Sequence, residues 1–403
     1  MKRQNLDTRA LSLKNLKARP VRTACLAAVV TILAFTLFGG SILTLNLRQG
    51  LTVMTKRFGA DLMVVPAGSS EEAQSILLRG GAGYFYFDAG ITGKIAGTEG
   101  IACASPQFFL TSLSTECCDA AVQLIAYDPA TDFAVQPWIA EKYRGTVGDG
   151  QVVVGSRITL RSNGTIQLFN HEYPVAAQLS TSASGFDTSI FMTMNTMRQL
   201  IDRAHKEKYN FLADRYEGEI ISAVLVKVNP SEAPSLAAYR IRRENAGVDV
   251  LVSQGIFSAL AATLSGLVSY IRIFSATLWI LAVIILAAVF SGSVHERKKE
   301  FALLRILGAT RKKLVAIVLG ESSLAGLAGG VAGVVLASLV VFPFSTLISE
   351  RLELPYLEAP FFKIIPLAAG SLVLSVLAGP LASLYAALRI SGAETYFTMR
   401  KGE

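Results

Sequence analysis

Histidine is scarce in this 403-residue chain. The three copies stand at positions 171, 205 and 295, and no metal-ligand spacing joins them. No Ser-His-Asp arrangement can be built from them, so neither histidine-based hydrolysis nor a His-rich metal centre is supported. The chain also has no phosphate-binding loop. That motif needs Gly-x-x-x-x-Gly-Lys-Ser/Thr, and the nearest approach is Gly93-Lys94, with Asp88 in place of the first glycine and Ile95 in place of the hydroxyl. Hydrolysis of ATP by this polypeptide is therefore not expected. Charge is sparse as well: 17% of residues are charged and 52% are hydrophobic, too apolar for an ordinary soluble protein of this length. A net charge of +8 remains, yet no RNA- or DNA-binding motif accompanies it.

What is present is four long apolar stretches, at about 21–45, 274–294, 314–347 and 364–388. Each supplies the roughly 20 residues that a ~30 Å hydrocarbon core requires. The second continues a helical pattern that begins near Gly255, so residues 263–294 read as a stalk joined to a span. Basic residues cluster before the first span (Arg9, Lys14, Lys17, Arg19, Arg22), in the short loop 295–313 (Arg297 to Lys299, Arg305, Arg311 to Lys313) and after the last span (Arg389, Arg400, Lys401). The other short loop, 348–363, carries Glu350, Glu353 and Glu358 against Arg351 and Lys363. The positive-inside rule puts both termini and the loop 295–313 in the cytoplasm. Topology thus accounts for the excess positive charge. The apolar stretch at 21–45 is too long for a cleaved signal peptide. Ahead of it, Leu6, Ala10, Leu13 and Leu16 share one helical face, which predicts a cytoplasmic amphipathic helix over 1–20 lying in the headgroup plane.

Between the first and second spans lies an insert, 46–262, with the composition of a soluble domain. Strand-like runs occur at 61–65, 122–126, 151–154, 189–194 and 222–228, and helical stretches at 195–204 and 235–245. Turn signals such as Asp128-Pro129, Asn163-Gly164 and Asn229-Pro230 separate them. The expectation is an extracytoplasmic mixed α/β domain, with room for two subdomains, inserted in a four-helix membrane protein. Ile256, Leu260, Leu264, Leu267 and Ile271 then run at helical spacing into the second span. A stiff helix of that kind carries movement, which a Gly/Ser linker would not.

The loop 295–313 is the most informative stretch. Leu303, Leu304 and Leu307 recur at helical spacing, Gly308 stands where a C-cap is expected and Thr310 can N-cap the next helix. This is a short amphipathic helix on the basic side of a membrane, which must pack either on headgroups or on a protein. Within the third span, Gly326/Gly330 and Gly329/Gly333 are small-xxx-small pairs suited to close helix contact. Glu321 is an intramembrane carboxylate with a structural or functional reading. Pro343 and Pro380 are expected to kink their helices.

One amino-terminal span, a large outer domain and three clustered carboxy-terminal spans resemble the MacB/FtsX family of ABC-transporter permeases. The resemblance is carried by Glu296-Arg297, by Glu300-Phe-Ala-Leu-Leu-Arg305-Ile-Leu-Gly308-Ala309-Thr310, and by the third span with Glu321, Gly329, Gly330 and Gly333. Asn15-Leu16 with Arg19 and Arg22, Gly59-Ala60-Asp61-Leu62 and Gly185-Phe186-Asp187 add to it. The resemblance implies a permease subunit of the bacterial cytoplasmic membrane whose short helix (Glu296, Glu300, Phe301, Leu303, Leu304, Leu307, Gly308) docks on an ATPase. That ATPase is a separate chain using ATP and Mg, no cofactor is bound by the permease itself, and two permease copies work with an ATPase pair, with an outer partner protein as a further candidate. Leu304 is taken as the central apolar anchor of the docking face.

The cysteines stay open at this level. Cys25 falls inside the first span as a small packing residue. Cys103, Cys117 and Cys118 fall outside, where a disulfide from Cys103 to one of the vicinal pair, a soft-metal or redox site flanked by Glu116 and Asp119, and simple reduced burial are three readings. The vicinal pair also resembles permeases associated with bacterial metal uptake. Met192 and Met194 alternate with Ile190 as a half-buried strand would, so Met192, Met194 and Met197 read as core rather than as Cu(I) ligands. Two functions from different classes fit: ATP-driven transport or extraction of a substrate, and a non-transporting regulator that activates an outer partner such as a cell-wall hydrolase. The size of the outer domain favours the first. A receptor without an ATPase would leave the basic amphipathic loop unexplained.

Overall fold

The computed structural model describes residues 15, 18, 20–81, 83–112, 118–119, 122–143, 145–206, 219–306, 308–345 and 354–392. The amphipathic helix expected over 1–20, Leu307 and Cys117 lie outside these residues, apart from positions 15, 18 and 20. The chain divides into two compact units. One comprises 1–46, 265–347 and 358–403, and the other 47–264 and 348–357.

Helix α1 spans Pro20–Phe58. The outer domain then runs β1 (Leu62–Pro66), α2 (Ser70–Arg79), β2 (Phe87–Asp88), α3 (Ile91–Ala96), β3 (Ile101–Thr111), β4 (Gln123–Tyr127), α4 (Gln136–Lys142), β5 (Val152–Val154), β6 (Thr165–Leu168) and β7 (His171–Gln178). A short 3₁₀ turn, Gly185–Thr188, leads into β8 (Ser189–Thr193), α5 (Met194–Lys206), β9 (Ile220–Ile221), β10 (Ala223–Val228), α6 (Pro234–Glu244) and β11 (Val248–Val252). Helices α7 (Ser253–Glu296), α8 (Lys298–Ile306), α9 (Arg311–Val341) and α10 (Phe361–Gly392) complete the chain.

In the outer domain nine strands form one mixed sheet in the order β11-β1-β10-β3-β4-β8-β5-β7-β6, and β2 pairs with β9 separately. The sequence left room for two subdomains; the nine strands run as a single sheet. Alternation assigns its faces. Met63, Val65, Ile125, Tyr127 and Val153 pack with α2 and α4 through Ile76, Leu77, Trp138 and Ile139. Their neighbours Leu124, Ala126, Val152 and Val154 face the other way with α5, and Leu62 and Val64 with α6. Helices thus cover both sides of the sheet, and its central strands read as continuous apolar runs for that reason. Met192 and Met197 are fully buried in this core. Strand β3, the longest, is absent from the sequence reading, and Pro106 within it would argue against a central strand. The structure accommodates it because β4 pairs with β3 only from Gln107 onward, so at Pro106 just one flank, β10, is occupied.

Gly185 and Asp187 hold an internal junction of this domain. The buried Asp187 carboxylate accepts hydrogen bonds from the Ser182 and Ala183 amides and the Ser182 hydroxyl at 2.7–2.9 Å. A Cβ on Gly185 would lie 2.1 Å from Gly80 N and 2.2 Å from Ile76 O, both backbone atoms at the C-cap of α2.

In the membrane unit, α1, α7, α9 and α10 each contain a stretch long and apolar enough to span a bilayer. Their common core is Leu26, Val30 and Leu33 of α1, Ala282, Leu286 and Phe290 of α7, Ala325 of α9, and Ala378 and Ala382 of α10. Helix α9 ends at Val341, before Pro343, so this proline closes the helix instead of kinking it. Pro380 does sit inside a continuous helix, as does Pro366.

The Gly185 contact generates a stability prediction. Gly185→Ala forces two backbone segments apart and should lower outer-domain stability by about 2 kcal/mol or more. Thermal unfolding of the full chain in detergent would then show a lower transition, and an unchanged transition would remove the close-packing account of this junction.

Candidate functional site

Helix α8 is nine residues long, and its two faces have different fates. Phe301 and Ala302 are 2% and 6% exposed, and Phe301 packs with Leu314 and Val318 of α9 and with the half-buried Leu304. On the other face Leu303 and Ile306 are 57% and 63% exposed. This corrects the sequence reading at Leu304: that side chain turns inward onto its own protein, and the free apolar face belongs to Leu303 and Ile306. Glycine supplies the stop, with Gly308 at φ +90° and its N–H donating to Arg305 O, while the Thr310 side chain accepts from Lys313 N to start α9.

The junction between α7 and α8 is one residue, Arg297, and its side chain is 7% exposed. Its Nε donates to Glu300 Oε2 at 2.7 Å, one turn along α8. Its Nη1 reaches both oxygens of Glu321 on α9 at 3.0 Å. The guanidinium also lies over the Phe301 ring, 5.1 Å from its centroid. Glu321, itself 6% exposed, accepts a third hydrogen bond from Asn15 Nδ2 at 2.6 Å. Burial opposes the charge on Arg297, but the Glu300 hydrogen bond and the Glu321 carboxylate outweigh it and hold the guanidinium above its ordinary range. A buried carboxylate and a buried guanidinium are costly alone and tolerable together when their remaining atoms are also bonded. The sequence reading names Glu321 and Glu300 as site residues, whereas Arg297 enters it only as a loop charge and as part of the Glu296-Arg297 motif. A signal was there, because an intramembrane carboxylate demands a cationic or donor partner.

The four glycines of α9 divide between two neighbours. A Cβ on Gly329 or Gly333 would meet α1 at Ala27 O (2.5 Å) or Thr31 O (2.4 Å). One on Gly326 or Gly330 would meet α10 at Val376 O (3.3 Å) or Leu372 Cδ1 (2.8 Å). Gly379 of α10 returns the contact against Ser322, whose hydroxyl accepts from Ser383 at 3.2 Å.

Against known families, residues 272–394 match the model of the FtsX-like permease C-terminal domain. That segment holds three of the four spans and the whole of α8. The chain thus carries a segment similar to an FtsX-like permease domain. The chain is 27% identical over 206 residues to an uncharacterized ABC transporter permease of Methanocaldococcus jannaschii, a match covering 50% of this chain and 48% of the relative's length. Two solved structures are similar at low level. The periplasmic region of MacB from Actinobacillus actinomycetemcomitans has a TM-score of 0.32 at 10% identity over 51% of this chain and 95% of that one. The extracellular domain of the noncanonic ABC-type transporter YknZ from Gram-positive bacteria has 0.27 at 11% identity over 48% and 98%.

The outer domain does not bring Cys103 and Cys118 together. Cys103 lies near the start of β3, opposite Lys227 of β10, and carries a free thiol. Cys118 follows the opposite end of that strand, in the core with Leu110 and Leu124, its sulfur accepting from Phe169 N at 3.3 Å. From Cys103 to Thr111 the strand alone rises about 26 Å at ~3.3 Å per residue, whereas a disulfide needs Cα atoms about 4.4–6.8 Å apart. Of the three readings left open by the sequence, a Cys103–Cys118 disulfide is ruled out by this separation; Cys117 lies outside the described residues. Asp119, which flanks the cysteine pair, bonds to Arg161 at 2.8 Å and accepts from Gln167 N. Among the described residues no three His, Cys, Asp or Glu side chains cluster as a metal site. An open cavity of about 850 Å³ is lined by Phe108, Asp128, Asp149, Met197, Asp202 and Glu219 among others. Two of its carboxylates are bonded from within, Asp149 to Thr193 and Asn195, and Glu219 to Arg198.

Burial raises the pKa of the Cys103 thiol above its ordinary value. Native alkylation of Cys103 should therefore be slow at neutral pH and rise by about tenfold per pH unit as the thiolate fraction grows. Peptide mapping of the labelled protein checks this, and a Cys103 that stays unlabelled at every pH would restore the disulfide.

Proposed function

We propose that this permease couples ATP hydrolysis by a separate cytoplasmic ATPase to movement of its outer domain, for transport or extraction of a substrate. In this reading α8 is the docking element, and Leu303 with Ile306 is the apolar edge that enters the ATPase. The observation that carries it is the division of α8 into a face buried against α9 and a face left bare. A helix resting on its own protein by Phe301 and Leu304 has no intramolecular need for exposed Leu303 and Ile306. Residues three apart on a helix are neighbours, so the two make one contiguous patch, with Lys299 and Glu300 exposed beside it.

Relay to the outer domain rests on the long helices. Helices α1 and α7 run for 39 and 44 residues without interruption. At 1.5 Å per residue they reach about 58 Å and about 66 Å, roughly twice the ~30 Å hydrocarbon thickness. Both extend past the membrane as helix, the stiff geometry a mechanical relay requires. The basic loop supports a cytoplasmic position for α8 and both termini, and in this reading two permease copies face an ATPase pair. Buried Cys118 and ion-paired Asp119 lend no support to metal capture at their turn.

Leu303→Asp and Ile306→Asp should each weaken ATPase binding by about 30-fold, the equivalent of ~2 kcal/mol at a central apolar anchor. Folding should be retained, because both side chains are exposed. Phe301→Ala should act differently, destabilising the permease itself. Co-purification of the ATPase and its stimulated turnover provide the readout. Unchanged binding in both aspartate variants would point to lipid as the partner of α8 and defeat this proposal.

A further inference from the structure

Glu321 joins three parts of the membrane unit that are distant in sequence. It lies on α9, it takes the guanidinium of Arg297 from the α7–α8 junction 24 residues away, and it takes the Asn15 amide from the segment ahead of α1, 306 residues away. Both members of the ion pair are almost fully buried. The same guanidinium is tied to Glu300 and stacked on Phe301, so its position and that of α8 are not independent. Helix α8 cannot swing on α9 without opening the pair, and opening it strands a carboxylate and a guanidinium away from water.

We propose that Glu321 is a positioning residue for coupling: its bonds to Arg297 and Asn15 clasp α8 to α9 and to the segment leading into α1, so that a push on α8 moves these elements together. The clasp itself stands on the geometry above. Its role in coupling rests on the docking reading of α8, and the experiment separates the two.

The full-length permease is placed in vesicles of phosphatidylethanolamine and phosphatidylglycerol, and Ala302→Cys serves as the reporter. Ala302 is 6% exposed while α8 is seated. Maleimide labelling at position 302 is read by peptide mass spectrometry, which distinguishes it from the native cysteines. Glu321→Ala and Arg297→Ala should each speed labelling about tenfold or more, because removing one partner of a buried pair is strongly destabilising locally. A double variant, Arg297→Met with Glu321→Leu, leaves no buried charge unpaired, so its folding stability should return to that of the parent. A clasp made of directed bonds predicts that position 302 still labels fast in this variant. With the ATPase added, the double variant should bind it with unchanged affinity yet show a loss of stimulated turnover.

If the double variant labels and turns over like the parent, the pair is an interchangeable structural plug and the proposal falls. If labelling accelerates as expected but no ATPase associates even with the parent, the clasp stands and the docking reading fails. Labelling that stays slow in Glu321→Ala overturns the clasp directly.

Discussion

Close approach of helix backbones is the constraint on which the membrane unit depends. In hydrocarbon an apolar side chain gains little by leaving lipid for a neighbouring helix, so association has to come from tight packing and a few polar bonds. Helix α9 achieves the packing twice, with Gly329 and Gly333 against α1 and Gly326 and Gly330 against α10. Offset by three residues, the pairs lie on adjacent faces about 60° apart, so α9 meets α1 along one and α10 along the other. The Ser322–Ser383 hydroxyl bond and the Arg297–Glu321 pair then add direction to contacts that packing alone would leave free to slide.

The same helix ties packing to function. A single helix carries the glycine seams, receives α8 through Leu314 and Val318, and holds the carboxylate that fixes Arg297. Whatever moves α8 therefore acts on an element already pressed against α1 and α10. Sparse charge in the chain makes this more specific, since a buried carboxylate in a low-dielectric site has few partners to choose among and must be served by those within reach. Arg297 and Asn15 do so here, and Glu300 holds Arg297 in turn.

The outer domain solves a different problem, that of one wide sheet with both faces covered. Its strands are apolar on both sides because α2 and α4 lie on one face and α5 and α6 on the other. The cost of turning the chain so often is met by tightly bonded junctions, such as the Asp187 carboxylate within its own loop and the contact of Gly185 with the end of α2. Asp119 serves the same end at the β6–β7 hairpin, where it bonds Arg161 and the Gln167 amide.

Local pattern alone determined a good deal. The four apolar stretches, the strand runs at β1, β4, β5, β8 and β10, the Gly308 stop and the Thr310 cap all follow from periodicity or from backbone preferences of single residues. Those signals act over a few positions and survive without knowledge of the rest of the chain. Strand β3 was hidden, and Pro106 within it looks like a strand breaker until one sees that β4 begins only beyond it. The inward turn of Leu304 was hidden because Leu303 and Leu304 are adjacent in a nine-residue helix, and hydrophobicity cannot say which of them faces α9. Cys103 and Cys118 looked pairable because sequence separation says nothing of a strand that carries them apart. Arg297 stood in the sequence as a loop charge and half of the Glu296-Arg297 motif, with no partner named until folding joined it to Glu321, which also takes Asn15. Tertiary structure decided each of these, because the deciding contact in every case is made by a residue whose identity no local pattern specifies.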